Sequence, residues 1–256
     1  MRYVGALIRK ECVEDIFSSR GAVLYLLGCG ILSVFSLLLV SNTELSLLDN
    51  AQAVYMMAGI VVGLAVLIAV IRGSDGFAGE RERETLETLL IAPVGAENAA
   101  IAKLAGIVFS WFIIFVLSIP YLWTVGSTGQ NLWPAFAYLF LAGTLLVVTF
   151  GGFTLALSAR IKTVKGVLSI GLLLFLVSGS PIVIGPSLRQ SAIGRFMDAI
   201  NPFGAALNML DSVVVDSQGI LIQILPLSVL LCYAGAVLLF LHLAIRRMVL
   251  CKGMFC

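Results

Sequence analysis

The stretch from residue 53 to residue 90 reads AVYMMAGIVVGLAVLIAVIRGSDGFAGERERETLETLL and changes character at Arg72. Residues 53–71 carry no charged side chain and approach the roughly 20 apolar residues that cross a bilayer as a helix. The residues that follow are rich in Arg and Glu. The stretch therefore predicts a transmembrane helix that leads directly into a charged insert outside the membrane.

The whole chain has the composition of a membrane protein. Of its 256 residues, 60% are hydrophobic and 12% are charged, and the mean hydropathy is +1.08. A soluble domain carries about 25% charged residues, so a water-soluble globular protein is excluded. We expect an all-α membrane protein in which residues 1–256 form a single transmembrane domain embedded in the lipid bilayer.

Long runs without charge predict six membrane-spanning helices. They lie near residues 22–41, 53–71, 104–125, 133–157, 166–186 and 220–245. Six crossings put both termini on one side, which then holds fourteen of the 16 Lys and Arg residues, with only Arg189 and Arg195 opposite. Because positive charges are retained in the cytoplasm, we predict cytoplasmic termini and a multi-pass location in the plasma membrane, which in bacteria is the inner membrane.

The amino-terminal residues 3–17 predict an amphipathic helix on the cytoplasmic surface of the membrane. Val4, Leu7 and Ile8 begin an apolar face, and Lys10 lies beside it. Charged residues from Arg2 onward argue against a cleavable signal sequence, so this helix is expected to stay on the mature protein.

The external stretch 187–219 is long enough to contain structure of its own. Apolar residues at helical spacing occur on both sides of Asn201-Pro202, at Ile193, Phe196, Met197 and Ile200 and then at Leu207, Leu210 and Val214. Two short amphipathic helices are predicted, either lying against the outer leaflet or dipping back into the protein.

Three local features of the spans are expected to be structural. The Gly59 and Gly63 pair favours close approach of helices. Pro120 and Pro226 each remove a backbone donor within a span, which favours a static kink over a gate hinge. The five cysteines, Cys12, Cys29, Cys232, Cys251 and Cys256, are interpreted as free thiols.

The predicted spans contain no Asp, Glu, Lys, Arg or His except His242. Its place near Arg246 favours an interfacial histidine over a proton relay or a metal ligand. No nucleophile and base, paired acids or metal ligands can be assembled, so we expect neither enzyme catalysis nor a metal site in this chain. The net charge of +2 gives no reason to expect nucleic-acid binding.

The charged insert, residues 72–103, predicts a helix of its own. Gly73, Gly76 and Gly79 are expected to loosen the exit from the second span, Ser74 or Asp75 to cap the helix, and Pro93 to end it. Its apolar stripe comprises Leu86, Leu89 and Leu90, and its charged face comprises Glu80, Arg83, Glu84 and Glu87, where Arg83 is spaced to pair with either Glu80 or Glu87. Periodicity alone leaves open a solvated linker helix and a protein-docking helix.

The segment GERERETLETLLIAPV, with a lysine ten residues on, resembles the signature of type-2 ABC-transporter permeases. The matching residues are Glu80, Arg81, Glu82, Thr85, Leu86, Glu87, Leu89, Leu90, Pro93 and Val94, with Lys103 beyond them. Glu84 stands where many family members have glycine, a departure expected to stiffen the helix. Such permeases share the surface helix, the six spans and the short external helices expected here.

The resemblance implies that residues 80–92 form a coupling helix seated in a groove of a separate ABC ATPase subunit. The implied docking residues are Glu80, Arg81, Glu82, Arg83, Thr85, Leu86, Glu87, Leu89, Leu90 and Pro93, with Val4, Leu7, Ile8, Lys10 and Glu11 of the surface helix bordering the interface. Two permeases, expected as a homodimer, and two ATPases would form the working unit. The chain has no GxxxxGK[ST] loop, so no cofactor is expected in it, and the partner would bind ATP and Mg.

The resemblance implies a permease subunit of an exporter. Uncharged spans suit an apolar-tailed cargo, although polar cargo crossing beside Thr144, Thr149 and Thr154 stays open. The alternative is a mechanical transmission subunit, which would couple cytoplasmic ATP hydrolysis to an external partner at residues 187–219 without passing cargo itself. An intramembrane enzyme is disfavoured by the missing site chemistry.

Overall fold

In the computed structural model, the described residues are 2–41, 50–86, 95–126, 132–183, 200–216 and 223–253. Their regular secondary structure is helical, without a strand. The helices are α1 (Arg2–Phe17), α2 (Ser19–Ser41), α3 (Asn50–Glu82), α4 (Ala96–Gly126), α5 (Leu132–Ser158), α6 (Val164–Val183), α7 (Pro202–Val214) and α8 (Ile224–Gly253).

Five of these helices, α2, α3, α4, α5 and α8, are long and apolar enough to cross a membrane. They coincide with five of the predicted spans, so a multi-pass membrane protein is confirmed. Helix α6, of 20 residues, coincides with the predicted span 166–186, but residues 184–186 of that span lie outside the described part of the chain. The sixth crossing therefore stays a prediction.

Helix α3 is the central element, and it differs from its prediction. Its 33 residues run without interruption past Arg72 to Glu82, a length of about 50 Å against a hydrocarbon core of about 30 Å. The expectation of a separate helix capped by Ser74 or Asp75 is wrong. Ser74 lies inside α3, where its hydroxyl donates to the carbonyl of Val70 at 2.6 Å.

The glycines of this extension bring α3 close to α5. A Cβ on Gly73 would lie 2.6 Å from the carbonyl oxygen of Gly151 and would overlap Thr154, and one on Gly76 would overlap Leu155. Their role is therefore close helix packing, and the expectation that they loosen the chain is wrong. Of the pair expected to allow close approach, Gly59 lies against α7, where a Cβ would be 3.5 Å from Leu207, whereas a Cβ on Gly63 would have no neighbour within 4 Å. The tightest contacts of α3 therefore occur further along, at Gly73 and Gly76.

Helix α7 dips into the bundle. Asn201 caps it by accepting from the Phe203 amide, with Pro202 in its first turn. Phe203, Leu207 and Leu210 are buried, and α7 packs against α3, α5, α6 and α8. Of the two predicted arrangements, this helix follows the one that enters the protein. The first predicted helix, with Ile193, Phe196 and Met197, lies outside the described residues.

The two prolines, Pro120 and Pro226, occupy different positions within their helices. Pro120 lies inside α4 as predicted. Pro226 lies in the first turn of α8, where a helix does not need the missing N–H, so the kink expected there has no cause.

Candidate functional site

The charged ends of several helices meet where α3 ends, and three consecutive residues there contact three different elements. The first of them is Glu80, whose Oε1 lies 3.3 Å from Nζ of Lys103 on α4. The same ammonium group lies 3.3 Å from Oε1 of Glu11 on α1. Only 9% of the Lys103 side chain is exposed, so screening by water is weak and its charge needs a carboxylate partner. The two ion pairs that share Lys103 join α1, α3 and α4.

The second residue contacts the α5–α6 turn, which we define as residues 159–163, and the third contacts the first residue of α6. The Arg81 guanidinium donates to the carbonyl of Ile161 at 2.8 Å and to that of Ala159 at 3.2 Å. The Glu82 carboxylate accepts the backbone N–H of Val164 at 2.8 Å. The end of α3 is thus bonded to the end of α5 and the start of α6.

The chain turns immediately after Glu82. Glu84 has a φ of 58°, in the left-handed region that glycine adopts freely and other residues rarely. Thr85 closes the turn with its amide on the Glu80 carbonyl and its hydroxyl on the Glu80 carboxylate. The expectation that Glu84 stiffens a continuous helix is therefore wrong, because the helix ends there.

Arg83 pairs with a residue that its spacing did not predict, while its predicted partner Glu87 lies outside the described residues. Its guanidinium lies 2.9 Å from Oδ2 of Asp75, two turns back along α3. Both side chains are about half exposed, so the pair contributes at most about 1 kcal/mol. Glu80 is engaged by Lys103 instead.

A polar cavity of about 180 Å³ separates α1, α3 and α4 at this end. Its lining includes Glu11, Asp75, Glu80, Arg83 and Lys103. The charges of opposite sign are paired with one another across or beside the cavity, so its lining is mixed in charge and does not select for one sign of charge.

Helix α1 packs against α4 beside this cavity, where Gly106 leaves room for Glu11. Burial and the negative charge of Glu11 raise the pKa of the neighbouring Cys12 thiol. The protonated thiol is the less reactive form, which agrees with an unpaired structural cysteine. Cys12, Cys29 and Cys232 are free, whereas the side chains of Cys251 and Cys256 lie outside the described part of the chain.

The predicted docking residues fall into two groups. Glu80, Arg81, Glu82, Arg83, Thr85 and Leu86 are described, and the first three contact other parts of the same chain. Glu87, Leu89, Leu90 and Pro93 lie outside the described residues. On α1, Leu7, Ile8 and Glu11 are half-buried and Lys10 is exposed, while the Val4 side chain lies outside the described part.

The threonines considered for a polar cargo path are engaged within the chain. Thr149 and Thr154 are buried and donate to carbonyls of their own helix. Thr144 accepts the indole N–H of Trp111 at 3.0 Å. Of these contacts, the one at Thr144 joins α5 to α4, and the three hydroxyl groups do not form an open polar face.

His242 lies near the charged end of α8, as expected of an interfacial histidine. Its Nδ1 is 3.9 Å from Oε1 of Glu97 in the first turn of α4, and the Arg246 guanidinium is 3.7 Å from the same oxygen. All three side chains are largely exposed, so this cluster ties α4 to α8 only weakly.

Residues 3–249 match the family model described as ABC-2 family transporter protein. A search of curated proteins found no match.

Proposed function

The chain belongs to the ABC-2 family of transporter proteins and is thus a membrane permease subunit that associates with an ABC ATPase; from that premise, we propose that it couples ATP hydrolysis by this partner to export of a substrate. The chain itself would catalyse no covalent step, and ATP and Mg would be bound by the partner. Two ATPases would act on two permeases, which we propose form a homodimer.

The continuity of α3 is the observation that carries this proposal. Helix α3 has 33 residues and ends within the insert. Its other half packs among α4, α5, α6 and α7, so a movement of the insert would be passed to these helices. Because Gly73 and Gly76 fit closely against α5, a push at residues 80–92 would displace packed helices and would not be absorbed by a flexible joint.

The charge distribution supports a cytoplasmic position for this end. The ends of α3, α4, α5, α6 and α8 that carry Arg81, Lys103, Arg160, Lys165 and Arg246 are joined there by the contacts described above. Such a concentration of positive charge is retained in the cytoplasm, where ATP is available. Both termini would then be cytoplasmic, in the inner membrane if the host is a bacterium.

The cargo is best proposed as apolar or amphipathic. Side chains such as Leu26, Leu176 and Leu239 are exposed on α2, α6 and α8 and suit contact with lipid or with an apolar tail. The candidate polar path is weakened because Thr149 and Thr154 are buried within one chain.

Replacement of the apolar docking residues tests the proposal. We expect Leu89→Ser with Leu90→Ser to release the ATPase subunit on co-purification, or to abolish its coupled activity, while the membrane fold keeps its thermal stability. Leu86 is left unchanged because it packs against the core of the permease itself. The matched control is Leu225→Ser, an exposed leucine at the far end of α8, which should keep the complex. Full retention of complex and coupled ATPase activity in the double variant would contradict the proposal.

A mechanical transmission subunit is the second candidate, and α7 favours it. This helix lies within residues 187–219 and is buried among four others, so a partner docked on that stretch would be linked to the core directly. An external partner that alone stimulates ATP hydrolysis would favour transmission. ATP-dependent uptake of a small molecule by inverted vesicles would favour export.

A further inference from the structure

Arg81 lies on α3, but its side chain donates hydrogen bonds at the end of α5. The last carbonyls of a helix have no partner within it, and Arg81 donates to two oxygens of the α5–α6 turn, those of Ala159 and Ile161. A cation at a helix carboxyl terminus also compensates the partial negative charge there. Arg81 is half-buried, which strengthens both effects.

Glu82 accepts a hydrogen bond at the start of α6. The first amides of a helix also lack partners, and the Glu82 carboxylate accepts from the N–H of Val164, the first residue of α6. A carboxylate at a helix amino terminus is favoured by the partial positive charge there. Thr163 completes the cap by accepting from Gly166. Two adjacent residues of opposite charge thus match two helix ends of opposite polarity.

Resting on the proposed function, we propose that Arg81 and Glu82 are positioning residues that tie the α5–α6 turn to the insert, so that α6 moves with the insert during the ATP cycle. Both bond other parts of the same chain, Arg81 from a half-buried side chain and Glu82 from an exposed one, and contact with the ATPase falls to the residues that follow. This differs from the role in ATPase docking that the family resemblance implies for both.

Helix α6 is packed on one face and exposed on the other, so the contacts of Arg81 and Glu82 could move it. Its inner face contacts α3 through Gly171, where a Cβ would lie 2.8 Å from Val70. Its other face, with Leu173, Leu176 and Val177, is exposed. Helix α6 is therefore held on the side of α3 and is unopposed on the other side within the described chain.

Hydrogen exchange followed by mass spectrometry separates this role from docking. The complex is compared with and without MgATP trapped by vanadate, from milliseconds to hours, in peptides covering residues 80–94 and 159–168. In the unaltered protein, both peptides should change their exchange on trapping. In the Arg81→Met, Glu82→Gln variant, residues 80–94 should keep that change, whereas the change in residues 159–168 should be lost.

The purely structural effect of the substitutions is measured in the same experiment. Loss of the carboxylate should speed exchange of the Val164 amide about tenfold or more without nucleotide, since bonds to charged groups are strong. Arg81→Lys with Glu82 unchanged keeps one cation and the Val164 cap, and should restore part of the nucleotide response. Lys162→Met, which removes an exposed charge from the same turn, is the control and should respond as the unaltered protein does.

The outcomes are distinguishable. A nucleotide response of residues 159–168 that persists in the double variant would overturn the inference while leaving docking intact. A failure of residues 80–94 to respond in the unaltered protein would overturn the proposed function and this inference with it.

Discussion

Glu84 shows how a single residue decides where an element ends. The sequence indicates a good helix former in a helical segment, yet its φ of 58° is left-handed. The neighbouring contacts explain this, because Arg81 and Glu82 are held on the α5–α6 turn while Thr85 folds back onto Glu80. Glycine, which the resemblance places here in many relatives, would meet the same requirement without strain.

The stabilities of variants at Glu84 can therefore be ranked in advance. We expect Glu84→Gly to be at least as stable as the unaltered protein, and Glu84→Val to be less stable by about 1–2 kcal/mol, because a branched side chain opposes the left-handed region. Thermal unfolding in detergent measures this. The reverse order, with glycine the worse residue by several tenths of a kcal/mol, would indicate a helix that continues through Glu84.

At the scale of elements, the sequence predicts the existence of the helices better than their ends. A chain in lipid must satisfy its backbone within each crossing, so uncharged runs translate directly into α2, α3, α4, α5 and α8. The end of α3 was not predictable in the same way. Gly73 and Gly76 indicate a break when read alone, and only the presence of α5 beside them shows that they serve packing.

Alanine at two glycines of α3 distinguishes these interpretations. Gly73→Ala should destabilise the protein by about 1–3 kcal/mol, because the added methyl group meets the backbone of Gly151. Gly63→Ala is the matched control and should be neutral or stabilising by up to about 1 kcal/mol, since its Cβ enters open space. If Gly73→Ala stabilised the protein like the control, the glycine would be a loosening residue after all.

At the scale of the molecule, contacts between distant residues could not be predicted from the sequence. Arg81 bonds a residue 80 positions away and Lys103 one 92 positions away, and helical periodicity does not say which helices are neighbours. The α5–α6 turn was missed for this reason, although Thr163 ahead of an apolar run is an ordinary capping signal. The family and the charged insert, by contrast, were identifiable from about fifteen residues.

The orientation of the molecule is open to a direct test. Single cysteines placed at Lys162 in the α5–α6 turn and at Val215 after α7, in a cysteine-free background, should lie on opposite sides of the membrane. A membrane-impermeant maleimide should label Val215→Cys in intact cells and Lys162→Cys only after permeabilisation. The opposite pattern would place the charged end outside and remove its access to ATP.

The central claim is that the insert after α3 receives the ATPase. A photo-activatable side chain at Leu89, in membranes that contain both subunits, should form a covalent adduct with the ABC ATPase, and the same side chain at Leu225 should form none. An assembled complex that gives no adduct from Leu89, or gives one from Leu225, would contradict it.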